Sequence, residues 1–231
     1  MQDARIERGM AAQSTLRRER TAVGELPLGW KVGFGAPAAM AKLGIGAPLV
    51  GFLARSALVE SGALISLAGW KKPVVEPEIA VYLGADLPAQ AGRGAVIAAI
   101  AALGPALELA DVDFPPDEVE KILAGNIYQR GVILGKSETA RAGGALDGLC
   151  GIVMRNGMES GRTADPQAAT GELLGIVQHV ADTLAACGEK LRAGQVIITG
   201  SIVPPLFVEA GEEVAFTLEP LGTVSVRFAR D

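Results

Sequence analysis

The chain of 231 residues contains one histidine, two cysteines and only 4% aromatic residues. The lone His179 lies between Val177 and Val180 in an apolar, periodic stretch, where a packed or half-exposed helix position is the common case, which argues against a Ser-His-Asp triad. Cys150 and Cys187 are far apart with no second metal-ligand residue beside either, so neither a disulfide framework nor a thiolate zinc site is indicated. Long apolar runs are also missing. The longest, Ala95 to Leu107, is 13 residues and contains Gly104 and Pro105, whereas a spanning helix needs roughly 18 to 20. The first twenty residues, MQDARIERGMAAQSTLRRER, hold mixed charges and no apolar core for a secretion signal, so a cytoplasmic protein is expected. Lys and Arg total 21 against 26 Asp and Glu, a formal charge of -5. That balance disfavours a nucleic-acid partner, which requires a basic face. No Walker sequence, nucleophile elbow or kinase signature is present.

What is abundant is glycine and proline, at 30 and 13, punctuating short runs of Val, Ile and Leu in a chain that is 49% hydrophobic. Such a pattern spells many short strands and a few helices, an α+β fold without regular βαβ alternation. Strands are predicted at Gly29–Gly33, Val74–Leu83, Ala106–Val112, Gly131–Leu134, Cys150–Arg155, Val196–Thr199, Val214–Leu218 and Thr223–Phe228. Asn156-Gly157 is the strongest hairpin signal, because both turn positions favour φ above zero. Helices are predicted at Ala36–Leu43, Gly94–Leu103, Pro116–Ala124 and Gln167–Ala186, with a polar, Arg-rich helix from Gln2 to about Thr21. Residues 1–28 are read as an N-terminal helical extension and 29–231 as the main domain.

Three carboxylates stand out. Glu76 and Glu78 are two apart in VVEPEIAVYL, so on a strand they share one face, with Val75, Pro77, Ile79 and Val81 on the other. A wet second face accounts for that spacing equally well. Glu108 is flanked by Leu107 and Leu109 in an apolar stretch; a surface-facing position accounts for it equally well, whereas a buried carboxylate needs a metal, a cation or a proton. An oxygen-only set of this kind suits a hard ion such as Mg²⁺, Mn²⁺ or Ca²⁺ rather than zinc. Lys31 in GWKVGF needs an anionic partner if it faces inward, and is unremarked on a wet face. The following GFGAPA is a weak match to a dinucleotide turn, and the acidic residue expected about 20 residues later is missing near Leu53 to Arg55.

In order, GWKVGF, LGIGAPLVGFL, PVVEPEIAVYLGADLP, PALELAD, GNIYQRGVILG, LRAGQVIITGS and EAGEEVAFTLEPLGTVSVRF resemble the hydratase and decarboxylase branch of the fumarylacetoacetate hydrolase superfamily. The resemblance spans roughly Gly29 to Phe228. It implies a mixed β-roll or sandwich with flanking helices, and a divalent ion, Mg²⁺ or Mn²⁺, held by Glu76, Glu78 and Glu108. It also implies that Lys31 is the catalytic residue in the same pocket, and that Gly200, Ser201 and Asn126 bind substrate. The implied activity is a metal-dependent hydratase adding water to a short 2-hydroxydienoate (2-oxoalkenoate) in aromatic catabolism. Two alternatives stay open: a 2-oxo-3-hexenedioate decarboxylase of the same branch, and a catalytically silent 2-oxo acid binding partner subunit. A homo-oligomer, or a complex with a related pathway enzyme, is expected on the same basis.

Overall fold

The computed structural model of the protein describes residues 3–230. Its helices are α1 (Ala4–Ala22), α2 (Pro37–Leu43), α3 (Arg93–Ala99), α4 (Val119–Ala124) and α5 (Leu173–Ala186). The strands of the first half are β1 (Pro27–Gly33), β2 (Leu49–Ala54), β3 (Leu58–Val59), β4 (Ala63–Ile65), β5 (Pro73–Leu83), β6 (Ile100–Asp111) and β7 (Gln129–Leu134). Those of the second half are β8 (Cys150–Arg155), β9 (Met158–Thr163), β10 (Val196–Ser201), β11 (Leu206–Phe207), β12 (Glu213–Glu219) and β13 (Gly222–Phe228).

They form two sheets. The larger runs β2-β1-β10-β5-β6-β7-β3, with β11 added to β5, and the smaller runs β4-β13-β12-β8-β9. The expected hairpin is present: Asn156 and Gly157 have φ of 52° and 77° and join the antiparallel pair β8 and β9. The α+β fold and the sheet-rich architecture agree with the expectation.

Alternation on β5 and β6 sets the architecture. Val75, Ile79 and Val81 of β5 and Leu103, Leu107 and Leu109 of β6 join Val214, Phe216, Leu218, Val224 and Val226 of the smaller sheet in one core. This is a face-to-face sandwich in which period-two residues of both sheets interdigitate. The opposite face of β5 and β6 is also buried. Ala80 and Ala106 lie there with Val132 and Ile198 in a second cluster, and Val74 and Ala110 are covered by residues of α1, α2 and α4 in a third. A central strand covered on both sides therefore carries its glutamates into the interior.

Two helix predictions need correction. The stretch Gly94–Leu103 is helical only to Ala99, and Ile100 to Leu103 instead open β6, where Ala102 and Leu103 pair with Tyr82 and Val81. A short apolar run buried on both faces has no periodicity to separate helix from strand, and the pairing partner decided it. The stretch Gln167–Ala186 becomes helical only at Leu173. Gln167 Oε1 accepts the Leu173 N–H at 2.9 Å, and Gly171 adopts φ 88°, so the preceding segment turns. Among the described residues no helix is long and apolar enough to cross a membrane, and Cys150 and Cys187 are free and half-buried.

The N-terminal helix α1 packs against α4 and is tied down by a polar residue. Gln13 is 2% exposed, and its Nε2 donates to Val50 O at 3.2 Å and Leu123 O at 3.0 Å. Replacing Gln13 with Leu leaves two buried carbonyls without this donor. The expected loss is about 1–3 kcal/mol of stability, read as a lower urea midpoint at unchanged m-value. An unmoved midpoint would show that α1 is not anchored this way.

Candidate metal centre

The centre is built on strand register. Glu76 of β5 is the direct cross-strand partner of Glu108 of β6, and Glu78 is the partner of Ser201 of β10. All three glutamates therefore share the face of the sheet that lies away from the sandwich core. Glu78 and Glu108 are fully buried and Glu76 is half-buried. One carboxylate oxygen from each lies within 4.8 Å of the others. Like charges directly opposite on neighbouring strands destabilise a sheet, so this pairing requires something to neutralise it.

Lys31 supplies part of the neutralisation. Its side chain is 1% exposed, its Nζ is ion-paired with Glu108 Oε1, and it donates to Ile127 O at 3.0 Å. One ammonium faces three carboxylates. With all four ionised, the buried cluster carries a charge of about -2, which a divalent cation cancels.

Protonation is the other way to cancel it. Burial pushes the Glu76 carboxyl above its ordinary range, with Lys31 opposing. Burial, and then the Glu108 and Glu76 charges, hold Glu78 well above that range, opposed by Lys31 and the Gly200 N–H. Burial raises Glu108 from 4.5 to about 7, with Lys31 pulling down and Glu76 pushing up. Two carboxylate oxygens, Glu78 Oε1 and Glu108 Oε2, are buried without a hydrogen-bond partner. Orphaned buried acceptors in a hard-oxygen cluster fit a divalent ion such as Mg²⁺ or Ca²⁺.

A bulge aims the loop beside this cluster. Ile198 pairs with Ala80 and Ser201 with Glu78, so β10 carries one extra residue over that interval. Such bulges re-aim groups next to functional sites. Gly200 takes φ 92°, a conformation that suits glycine, and its N–H donates to Glu78 Oε2 at 2.6 Å. Ser201 is half-buried and its hydroxyl donates to Val203 O at 2.7 Å. The structure thus brings Gly200 and Ser201 to the edge of the carboxylate cluster.

Asn126 is held by the backbone of β2. It is 3% exposed beside Lys31, but its Nδ2 donates to Phe52 O at 2.9 Å and its Oδ1 accepts the Phe52 N–H at 2.8 Å. Both ends of the amide are committed to β2 rather than turned to a ligand. His179, half-buried on α5, hydrogen-bonds Pro48 O through Nε2 at 2.8 Å.

Sequence reasoning missed two contributors. Gly51 lies opposite Lys31 across β1 and β2, where a Cβ would sit 3.0 Å from Lys31 Cγ and 2.9 Å from Asn126 Oδ1. An isolated glycine inside the apolar run LVGFLA signals such a close approach. The Ile127 carbonyl left no signal at all, since backbone direction is not written in side-chain type.

Residues 33–229 match the family model described as Fumarylacetoacetate (FAA) hydrolase C-terminal. The chain is similar to 2-hydroxyhexa-2,4-dienoate hydratase of Comamonas testosteroni, 32% identical over 216 residues that cover 91% of this chain and 81% of that protein. It is similar to 2-keto-4-pentenoate hydratase 2 of Dechloromonas aromatica (strain RCB), 29% identical over 222 residues, covering 95% and 84%. Among solved structures it resembles 4-oxalocrotonate decarboxylase from Pseudomonas putida G7 complexed with magnesium and adipate. That likeness has a TM-score of 0.86 and 31% identity over 94% of this chain and 83% of the other.

Proposed function

The chain belongs to the fumarylacetoacetate (FAA) hydrolase family, and from that premise we propose that it is a divalent-metal-dependent lyase, a hydratase adding water to a short 2-hydroxydienoate. The observation that carries the reading is the buried cluster of Glu76, Glu78 and Glu108 facing the single ammonium of Lys31. In this reading the three glutamates hold Mg²⁺ or Mn²⁺, and the relatives named as hydratases supply the substrate class. The ion, when bound, supplies Lewis-acid stabilisation of negative charge on the 2-oxygen of a 2-oxo acid.

The chain's own groups do the rest. Gly200 N–H fixes one oxygen of Glu78, leaving the other for the ion. Lys31 has three N–H donors, of which Glu108 and Ile127 O take two. The third is available to bind the substrate carboxylate or to move a proton along the diene as water adds to the conjugated carbon. Gly200 and Ser201 form the loop over the substrate. The apolar surroundings of the cluster exclude bulk water, which strengthens each of these interactions. The reading carries with it a cytoplasmic homo-oligomer, working alone or with a related pathway enzyme.

A second reading rests on the likeness to the decarboxylase solved with magnesium and adipate. There the same centre would stabilise the enolate left by loss of CO₂ from a 2-oxo-3-hexenedioate. Incubating the Mg²⁺-loaded protein with each substrate, and following ultraviolet absorbance and CO₂ release, separates the two. Loss of dienoate absorbance without CO₂ supports the hydratase. Turnover of the hexenedioate alone, with CO₂, replaces it by the decarboxylase. Binding of metal and oxalate with no turnover of either leaves a silent 2-oxo acid binding subunit.

A further inference from the structure

Asn126, Ile127 and Tyr128 are three consecutive non-glycine residues with φ of 57°, 53° and 60°. Residues with a Cβ rarely enter this region, and a β-branched isoleucine is an outlier there. A chain held in such a conformation is over-determined by its surroundings, and the contacts here show by what. The Asn126 N–H donates to Leu123 O at 2.9 Å and the Ile127 N–H to Ile122 O at 2.8 Å, closing the end of α4. Tyr128 O accepts the Asp111 N–H at 3.0 Å, joining the turn to the end of β6. The Asn126 amide takes both the N–H and the carbonyl of Phe52 on β2, an edge strand of the larger sheet.

The consequence of the left-handed backbone is the direction of one carbonyl. Ile127 O accepts from Lys31 Nζ at 3.0 Å, while the same ammonium is ion-paired with Glu108. The stem of Lys31 is confined as well, because Gly51 gives it space that a Cβ would fill. The ammonium is therefore held between an ionisable group and a fixed dipole.

We propose that the left-handed turn Asn126–Tyr128 is the positioning device for Lys31, with the Asn126 amide as its anchor on β2. Asn126 is a positioning residue, acting through Ile127 O, and does not touch substrate. The proposal rests on Lys31 serving the lyase reaction described above, but its geometric part can be read without turnover.

Brief acetic anhydride labelling of the full-length apo protein, with peptide mass spectrometry, tests that part. Lys31 should be protected in the wild type and labelled about tenfold faster in Asn126→Ala, while exposed Lys42 and Lys121 keep their rates. Mg²⁺ binding in the presence of oxalate should persist, because no metal-binding carboxylate is altered. With substrate, kcat/KM should fall about 100-fold. Asn126→Asp keeps the shape but cannot donate to Phe52 O, and Gly51→Ala crowds the Lys31 stem directly. Both should lower kcat/KM in the same way, and they decide the matter if Asn126→Ala labels at every lysine and is unfolded. Protection of Lys31 in the folded variants, or kcat and KM both left at the wild-type values, overturns the proposal. No turnover by the wild type overturns the hydratase reading instead, and labelling then decides the positioning role alone.

Discussion

Replacing Lys31 with Met is expected to lower turnover by about 10²–10⁴-fold, the range spanned by loss of a positioned proton donor, while divalent-metal binding persists. The sign of the second effect follows from the charges. Lys31 is ion-paired with Glu108, so the ammonium and an incoming cation compete for the same carboxylate. Removing it leaves the carboxylates harder to ionise, since Lys31 opposes the upward shift at Glu76, Glu78 and Glu108. Metal binding in the variant should therefore depend more steeply on pH than in the wild type, strengthening as rising pH ionises the carboxylates. Methionine roughly preserves the length of the stem, so the packing against Gly51 survives. The apo variant should not suffer the full cost of about 3–5 kcal/mol for a broken buried ion pair, because a carboxylate can take up a proton instead. Titration with Mg²⁺ in the presence of oxalate, alongside the ultraviolet assay, measures both effects. An unchanged rate would remove Lys31 from the reaction, and loss of metal binding at every pH would make it a structural support of the carboxylates.

Much of this centre was legible in the sequence because it is written in side-chain type and strand period. The two-residue spacing of Glu76 and Glu78 fixes a shared face before any pairing is known, and the apolar neighbours of Glu108 make it a candidate for burial, which the fold bears out. The register that sets Glu108 opposite Glu76 is different, since it depends on where β6 begins, and the sequence reading began that strand six residues late, at Ala106 instead of Ile100. β2 was not foreseen as a strand, although its Leu49–Ala54 run is buried throughout. The substrate role expected of Asn126 rests on the resemblance alone, and only the folded chain shows that Phe52 pairs with both its Nδ2 and its Oδ1. Backbone direction, as at Ile127 O, and the small clearances around Gly51 are properties of the assembled fold and leave little or no mark on residue choice.

Glu108→Gln is expected to abolish metal binding and yet to make the metal-free protein more stable at alkaline pH. The carboxylates of the unfolded chain titrate near 4.5, whereas burial holds folded Glu108 at about 7. Between these values the folded state keeps protons that the unfolded state has released, so stability falls as pH rises through the window. By pH 8 the loss attributable to Glu108 is about 3 kcal/mol, with Glu76 and Glu78 adding in the same direction. Glutamine keeps the volume of the side chain and removes its charge, leaving two carboxylates to face Lys31. Urea midpoints of the apo protein should thus decline from pH 5 to pH 8 in the wild type and decline less in the variant. Saturating Mg²⁺, at about 100 times its dissociation constant, should return about 3 kcal/mol to the wild type at pH 8 and nothing to Glu108→Gln. A wild-type midpoint that rises with pH, or that ignores the metal, would mean that the three carboxylates are neither mutually repelling nor a cation site. The cluster thus destabilises the empty fold, and a bound divalent ion offsets that cost by an amount set by its concentration relative to its dissociation constant.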